Sequence, residues 1–259
     1  MNLKETLKIV IEIAREAGEY LKTEQALIKS KSVEMKSTRN YVTYIDKEAE
    51  KLIVTALSNA FPDTGFLTEE ETVATEIKEW TWIIDPLDGT TNYVNNDTPY
   101  AVSIALQHNE KTVLGVVFDP IVDELYYAIE NKPATLNGEP IEVSKHATLV
   151  DAYIGFGIPY SIDERAKDVL QRTTEYYDKC SFRIKGSAAV ELCYVAAGRT
   201  DAYYHSGLSP WDVAAGSFIL EQAGGKVTDF DRGNNYIHGR EIVASNGLIH
   251  NDIIDKIIN

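Results

Sequence analysis

The chain has few cysteines and a deficit of positive charge. Its 259 residues include only Cys180 and Cys193, and 25 lysines and arginines stand against 40 aspartates and glutamates, giving a formal net charge of -15. Two cysteines cannot supply a cysteine-based zinc site, and nothing in the sequence calls for a disulfide between them. So acidic a surface repels nucleic-acid phosphates and anionic lipids, so we expect neither nucleic acid nor membrane among its partners.

The sequence also lacks long apolar runs. None reaches the roughly 20 residues that a membrane-spanning helix needs, and charged residues interrupt residues 1–20, unlike the apolar core of a secretory signal. We therefore expect a cytoplasmic protein with free thiols. A hydrophobic fraction of 44% is sufficient for a substantial core and argues against disorder.

Hydrophobic periodicity predicts two halves with different organisation. Apolar residues spaced by three and four between Leu3 and Leu21 predict an amphipathic helix. A second helix is predicted over 46–60, with Thr43 as a plausible N-cap. The β-prone runs of the first half, with a hairpin at 137–138, predict an antiparallel meander. These runs are 80–84, 100–107, 112–118, 125–129 and 141–143.

Strands and helices alternate in the second half. The predicted strands are 152–156, 182–184, 201–204 and 226–230, and the predicted helices are 163–177, 187–197, 213–223 and 251–258. This change of pattern indicates an N-terminal α+β half, residues 1–145, and a C-terminal α/β half, residues 146–259.

One segment of the first half combines an apolar strand with closely spaced carboxylates. Residues 82–92 read Trp-Ile-Ile-Asp-Pro-Leu-Asp-Gly-Thr-Thr-Asn. A turn at Pro86 can bring Asp85 and Asp88 to one side together with the Leu87 carbonyl, and these are the hard oxygen ligands that magnesium prefers. A simple Asx turn followed by a helix cap is the competing interpretation.

Two further acidic positions strengthen the interpretation as a metal site. Glu69 begins a run of three glutamates after an apolar pair, and Asp212 stands at the start of an apolar helix. Taken alone, the glutamates are typical of a solvated charge run and Asp212 of a helix-start residue favoured by the helix dipole.

Together these segments resemble the inositol monophosphatase family, within the lithium-sensitive phosphatase superfamily that includes fructose-1,6-bisphosphatase. The resemblance runs from about Leu3 to Asn246 and includes matches at 186–189 and 223–225. It implies a layered αβαβα sandwich, a homodimer, lithium inhibition, and two or three Mg²⁺ ions in each active site. Magnesium-bound water becomes an effective nucleophile near neutral pH, so the implied chemistry is hydrolysis of a phosphomonoester.

The resemblance also implies a role for each matching residue. Expected metal ligands are Glu69, Asp85, the Leu87 carbonyl, Asp88 and Asp212. Thr90 and Asp46 resemble the pair that orients the attacking water, and Glu69 belongs to the same catalytic set. Expected substrate contacts are Asp88, Gly89, Thr90, Gly186, Ser187, Ala188, His205 and Asp212.

Two positions depart from the family pattern. His205 stands where inositol-specific members typically carry a glutamate that binds substrate hydroxyls, and Asn40 stands where relatives usually have an acidic residue. A histidine cannot supply the same pair of acceptors. It is either a surface residue without a role or part of a changed alcohol pocket. Lys185 is either a surface lysine or a contact for a second anionic group.

The sequence therefore predicts an enzyme acting on a small-molecule phosphate ester, with inositol-1-phosphate as the leading substrate. NADP, 3'-phosphoadenosine 5'-phosphate and fructose-1,6-bisphosphate remain alternatives. A non-catalytic regulatory partner protein on the same fold is a second alternative from a different class.

Overall fold

The computed structural model describes residues 1–28, 44–159 and 162–259. The helices of this part of the chain are α1 (Leu3–Ile28), α2 (Tyr44–Ala60), α3 (Thr90–Val94), α4 (Glu164–Glu175), α5 (Ala188–Ala196), α6 (Pro210–Gln222) and α7 (His250–Ile253), which continues as a π-helical turn (Ile254–Ile258). The strands are β1 (Gly65–Thr68), β2 (Trp80–Asp88), β3 (Ala101–His108), β4 (Lys111–Asp119), β5 (Glu124–Ile129), β6 (Thr135–Leu136), β7 (Glu139–Pro140), β8 (Tyr153–Phe156), β9 (Ser181–Arg183), β10 (Ala202–Ser206), β11 (Lys226–Thr228) and β12 (Glu241–Ser245).

Three helical layers alternate with two sheets. The first sheet has the order β1-β2-β3-β4-β5-β6-β7 and the second β11-β12-β10-β8-β9. Helices α1 and α2 pack on one face of the first sheet, whereas α5 and α6 lie between the two sheets. Helix α4 and the C-terminal helical segment cover the outer face of the second sheet. This is the αβαβα sandwich that the family resemblance implies, so the expected fold class is confirmed.

The apolar patterns of the helices match their layers. Helix α1 buries a single stripe that includes Val10, Ala14, Ala17 and Leu21, as expected of an outer helix with one solvent-exposed face. The inner helix α6 is buried without interruption from Val213 to Leu220, because a sheet lies on each side of its layer. The width of a helix's buried apolar face thus matches its position, narrow in an outer layer and wide in the inner one.

The antiparallel meander β2-β3-β4-β5 is present, but β1 pairs with β2 in parallel. The sequence prediction missed β1 and β12, because β1 is only four residues long and both depend on pairing partners distant in sequence. The predicted strand over 141–143 is wrong. The hairpin at Asn137 closes the short strands β6 and β7, and the chain beyond Pro140 has no strand until Tyr153.

The predicted boundary near residue 145 falls in the connection between the last strand of the first sheet and the first strand of the second. The division into 1–145 and 146–259 stays a prediction. The expected N-cap Thr43 and the departure at Asn40 lie outside the described residues. Within the described ranges, no helix combines the length and the apolar character needed to cross a bilayer.

Candidate active site

Strand β2 carries two of the predicted ligands at its C-terminal end. Asp85 and Asp88 are 1% and 8% exposed, and the pairing of β2 with β3 is irregular between them. The Asp85 carboxylate accepts a hydrogen bond from the Leu87 N–H at 2.9 Å. This local turn, which contains Pro86, directs the two carboxylates into the same space.

The third carboxylate comes from the inner helical layer. Asp212 is the third residue of α6, and its carboxylate accepts a hydrogen bond from the Ser209 N–H at 2.6 Å. Helix α6 also contacts β2, β3 and β4. Packing of α6 against the first sheet therefore brings Asp212 to the end of β2.

The three aspartates form one cluster. Ligand oxygens of Asp85, Asp88 and Asp212 lie within 4.8 Å of one another. Glu69, directly after β1, shares a side-chain hydrogen bond with Asp85, and its N–H donates to the Ile84 carbonyl at 3.3 Å. All four carboxyl groups are hard oxygen donors, a ligand set that suits Mg²⁺.

Burial raises the pKa of every carboxyl group in this cluster. For Asp85 burial is the largest cause, and the negative charges of Glu69 and Asp88 add to it. Burial is also the main cause for Glu69, Asp88 and Asp212, and hydrogen bonds oppose the rise in each case. So many carboxylates at close range are costly unless cations compensate their charge. The electrostatics and the donor set therefore both favour divalent cations here.

The cluster lies in a cleft of about 840 Å³. The residues that line it come from both sheets and from the inner helical layer. Most of the predicted site residues are among them: Glu69, Asp85, Leu87, Asp88, Gly89, Thr90, Gly186, Ser187, Ala188, His205 and Asp212. The fold thus brings together side chains that are up to 143 residues apart, as the numbers of Glu69 and Asp212 show.

The start of α5 contacts the aspartate cluster directly. The Ser187 hydroxyl and the Ala189 N–H both donate to Oδ2 of Asp88, the latter at 2.8 Å. Ser187 is also the N-cap of α5, where its hydroxyl accepts from the Val190 N–H. The Asp88 carboxylate is therefore oriented by the second half of the chain.

Thr90 and Asp46, the residues expected to orient the attacking water, belong to different helices, α3 and α2. The Thr90 hydroxyl donates to the Leu87 carbonyl at 3.1 Å. Asp46 is in the first turn of α2, is 2% exposed, and its charge contributes to the raised pKa of Glu69. The predicted pairing of Thr90 with Asp46 stays a prediction.

His205 lies on the opposite wall of the cleft, in β10. Its ring packs on Gly157, where an added Cβ would lie 1.5 Å from Cδ2 of the histidine. Burial lowers the pKa of His205 to about 4, so the imidazole is neutral near pH 7. Its buried Nδ1 has no hydrogen-bond partner in the described part of the chain.

Three cleft residues received no role from the sequence. Arg240 is exposed and adds a positive charge near Asp212. Glu191 is 1% exposed, and a glutamate inside the apolar run of α5 was the signal that marks it as unusual. Asn92 belongs to the conspicuous motif of residues 82–92, but sequence alone gives no reason to separate it from its neighbours.

The match to known proteins is extensive. The model of the inositol monophosphatase family matches residues 2–258. An inositol-1-monophosphatase from Mesorhizobium japonicum is 36% identical over 97% of this chain and 95% of its own length. The Nus factor SuhB of Vibrio cholerae is 38% identical over 92% of this chain and 90% of its own length. The chain therefore belongs to the inositol monophosphatase family.

Solved structures are similar over the same length. The extragenic suppressor protein suhB from Bartonella henselae has a TM-score of 0.91 at 35% identity and covers 98% of both chains. A structure of 2'AMP-bound SaIMPase-II has a TM-score of 0.80 at 26% identity and covers 98% of this chain and 94% of its own. Family membership and the sandwich fold are thus supported independently by sequence and by structure.

Proposed function

We propose that this protein is a magnesium-dependent phosphatase that hydrolyses a small soluble phosphomonoester. The observation that carries this proposal is the meeting of the Asp85, Asp88 and Asp212 carboxylates within 4.8 Å, inside a large cleft. An acidic protein repels an anionic substrate, and cations held by these carboxylates would reverse the sign of the local field. Two or three Mg²⁺ ions are expected.

The ligand set fits this role. Glu69, Asp85, Asp88, Asp212 and the Leu87 carbonyl would hold the ions. When bound, the ions would lower the pKa of a bound water, so that it can attack phosphorus as hydroxide, and would stabilise the negative charge on the leaving ester oxygen. The protein's own contribution is to fix the carboxylates, to orient the water and to hold the phosphate in line.

The residues around the cluster would perform these tasks. Thr90, with Asp46, would accept and orient the protons of the attacking water. The backbone N–H groups of Gly89 and Thr90 would donate to the phosphate. On the side of the leaving alcohol, Gly186, Ser187, Ala188 and His205 would contact the substrate.

Inositol-1-phosphate is the leading substrate because the chain belongs to the inositol monophosphatase family. A 2'-nucleotide such as 2'AMP, or the 2'-phosphate of NADP, is the second candidate. It is favoured by the neutral ring of His205 and by the apolar Phe156, Ile158 and Ile184, which also line the cleft. A base has flat faces that pack on such a wall, whereas an inositol ring carries hydroxyl groups that need polar partners.

A non-catalytic role is a third candidate, since several relatives are called Nus factor SuhB. It predicts that purified protein releases no phosphate from any ester. We expect instead that the residues of the acidic cluster support turnover.

The test is phosphate release from inositol-1-phosphate, 2'AMP, NADP, 3'-phosphoadenosine 5'-phosphate and fructose-1,6-bisphosphate, each with Mg²⁺ and with a chelator. Release that requires Mg²⁺ and is inhibited by lithium supports the proposal, and the preferred ester identifies the substrate class. Absence of release from every ester would contradict it and favour the regulatory role.

A further inference from the structure

Asn92 connects two distant parts of the chain through a single amide group. Its Nδ2 donates to the Pro99 carbonyl and to the Lys185 carbonyl, each at 2.7 Å. Pro99 precedes β3 in the first sheet, whereas Lys185 precedes α5 in the inner layer. A side-chain amide nitrogen carries two hydrogens, so both donors of Asn92 are used in joining the two segments.

The peptide of Lys185 is also held from its other side. The Lys185 N–H donates to Oε1 of Glu191 at 2.9 Å. Glu191 is buried in α5, which makes it a fixed partner. We call the four residues Asn92, Pro99, Lys185 and Glu191 the Lys185 clasp.

The next residue packs tightly against the clasp. Gly186 has a φ of +86°, a backbone conformation that favours glycine. A Cβ at this position would lie 3.0 Å from both Nδ2 and Oδ1 of Asn92. The Gly186 carbonyl in turn lies 3.3 Å from the place that a Cβ on Gly89 would take. The contacts of the clasp therefore accompany close packing of the segment before α5 against the turn that contains Asp85 and Asp88.

The segment beyond Gly186 ends on the aspartate cluster. Ser187 and Ala189, two and four residues after Lys185, donate to the same oxygen of Asp88. Displacement of Lys185 would therefore move the two donors that orient this carboxylate.

From these contacts we propose that Asn92 is a positioning residue. By holding the Lys185 carbonyl, it keeps Ser187 and Ala189 in place and thereby sets the orientation of the Asp88 carboxylate toward bound cations. The expected effect of Asn92 on the Mg²⁺ dependence of activity rests on the proposed phosphatase function. Its expected effects on hydrogen exchange over residues 185–189 and on cation binding do not.

The test compares Asn92→Ala and Asn92→Asp with Asn95→Ala. Aspartate has the shape of asparagine, but its ionised carboxylate cannot donate and would face two carbonyl oxygens. Asn95 is the matched control, because it directly follows the same short helix as its C-cap and is exposed. Within the described residues, its side-chain amide donates to the nearby Thr91 carbonyl at 2.8 Å and to no distant segment. The measurements are amide hydrogen exchange over residues 185–189, Mn²⁺ titration of the protein, and the Mg²⁺ concentration for half-maximal activity.

Both Asn92 variants should exchange faster over 185–189 by about tenfold, since local opening controls exchange. They should bind Mn²⁺ about 10-fold more weakly, within the range typical for residues that orient metal ligands. Half-maximal activity should require more Mg²⁺ by a similar factor, whereas Asn95→Ala should match the wild type.

Unchanged exchange and unchanged Mn²⁺ affinity in a folded Asn92→Asp protein would overturn the proposal. A lower unfolding temperature with normal Mn²⁺ affinity would also overturn it, because that result indicates a purely structural role. If the wild type releases no phosphate from any ester but the Asn92 variants still lose Mn²⁺ affinity, the proposed function fails and the positioning role stands.

Discussion

At the scale of single residues, the aspartate cluster is electrostatically unfavourable as long as no cation offsets its charge. Asp85 is buried beside Glu69 and Asp88, and their charges raise its pKa. A carboxyl group whose pKa is raised by folding lowers the stability of the folded protein at every pH above its ordinary pKa. The ligands that would make the site functional therefore reduce the stability of the metal-free protein.

Replacement Asp85→Asn should separate function from stability. Loss of one charged ligand should reduce kcat by at least about 100-fold, since on the proposed function bound cations would provide much of the catalytic charge stabilisation. The same change should stabilise the metal-free protein by on the order of 1–3 kcal/mol, because it removes a repulsive buried charge. Phosphate release and denaturant unfolding with chelator measure the two effects. A variant that retains most of its activity would refute the assignment of Asp85.

His205 is the residue at which substrate preference should change. Replacement His205→Glu would restore a carboxylate for substrate hydroxyl groups, so the ratio of kcat/KM for inositol-1-phosphate to that for 2'AMP should rise about 10-fold or more. His238→Glu is the control, because it makes the same replacement at an exposed position outside the residues that line the cleft. Equal ratios in all three proteins would show that His205 does not contact the alcohol.

At the scale of elements, the turn between β2 and α3 is the part of the fold that the site depends on most. Gly89 there has a φ of +93°. An added Cβ would lie 3.0 Å from the Pro99 carbonyl oxygen and 3.3 Å from the Ser187 Cβ. The glycine therefore permits both the backbone conformation and the close approach of two neighbouring segments.

Replacement Gly89→Ala should thus be compared with Gly224→Ala. Gly224 has a similar φ of +89°, but nothing lies within 4 Å of an added Cβ. The strain of a left-handed alanine alone costs about 1–2 kcal/mol, so Gly224→Ala should lose that amount and keep its activity. Gly89→Ala should lose more stability, and its kcat should fall. Equal stability losses with normal activity in both variants would contradict the importance of close packing at Gly89.

At the scale of the whole molecule, the layers create a cleft that collects negative charge. The chain carries a formal net charge of -15. The three aspartates of the cluster come from β2 of the first sheet and α6 of the inner layer, and Glu69 beside them directly follows β1. Cations that bind this cleft would stabilise only the folded protein, because the unfolded chain does not hold the carboxylates together.

Magnesium should therefore raise the unfolding temperature. At a Mg²⁺ concentration 100 times the Kd the expected stabilisation is about 2.7 kcal/mol. Differential scanning calorimetry with Mg²⁺, compared with chelator, measures it, and Asp85→Asn should show a much smaller increase. The same increase in the wild type and the variant would place the stabilising ions elsewhere.

Much of the architecture was predictable from local patterns. The single apolar stripe of α1 predicted an amphipathic helix, and the mainly apolar segment 213–220 was consistent with a buried one. Strand β1 and strand β12 were missed, and a strand over 141–143 was wrongly predicted, because short strands are decided by the partners they find and not by their own composition. Hydrophobic patterns predicted the long helices and strands correctly, whereas the short strands needed knowledge of their pairing partners.

The sequence by itself determined the class of the fold and the candidate ligands. The motif of residues 82–92 carries its meaning locally, since a strand, a proline turn and two aspartates are enough to predict oxygen ligands in one place. Only the tertiary structure decided that α6 brings Asp212 to that place, that Ser187 orients Asp88, and that Asn92 joins the two segments beside them. These contacts span about 100 residues or more, and they form only when the layers pack, because no local interaction specifies them.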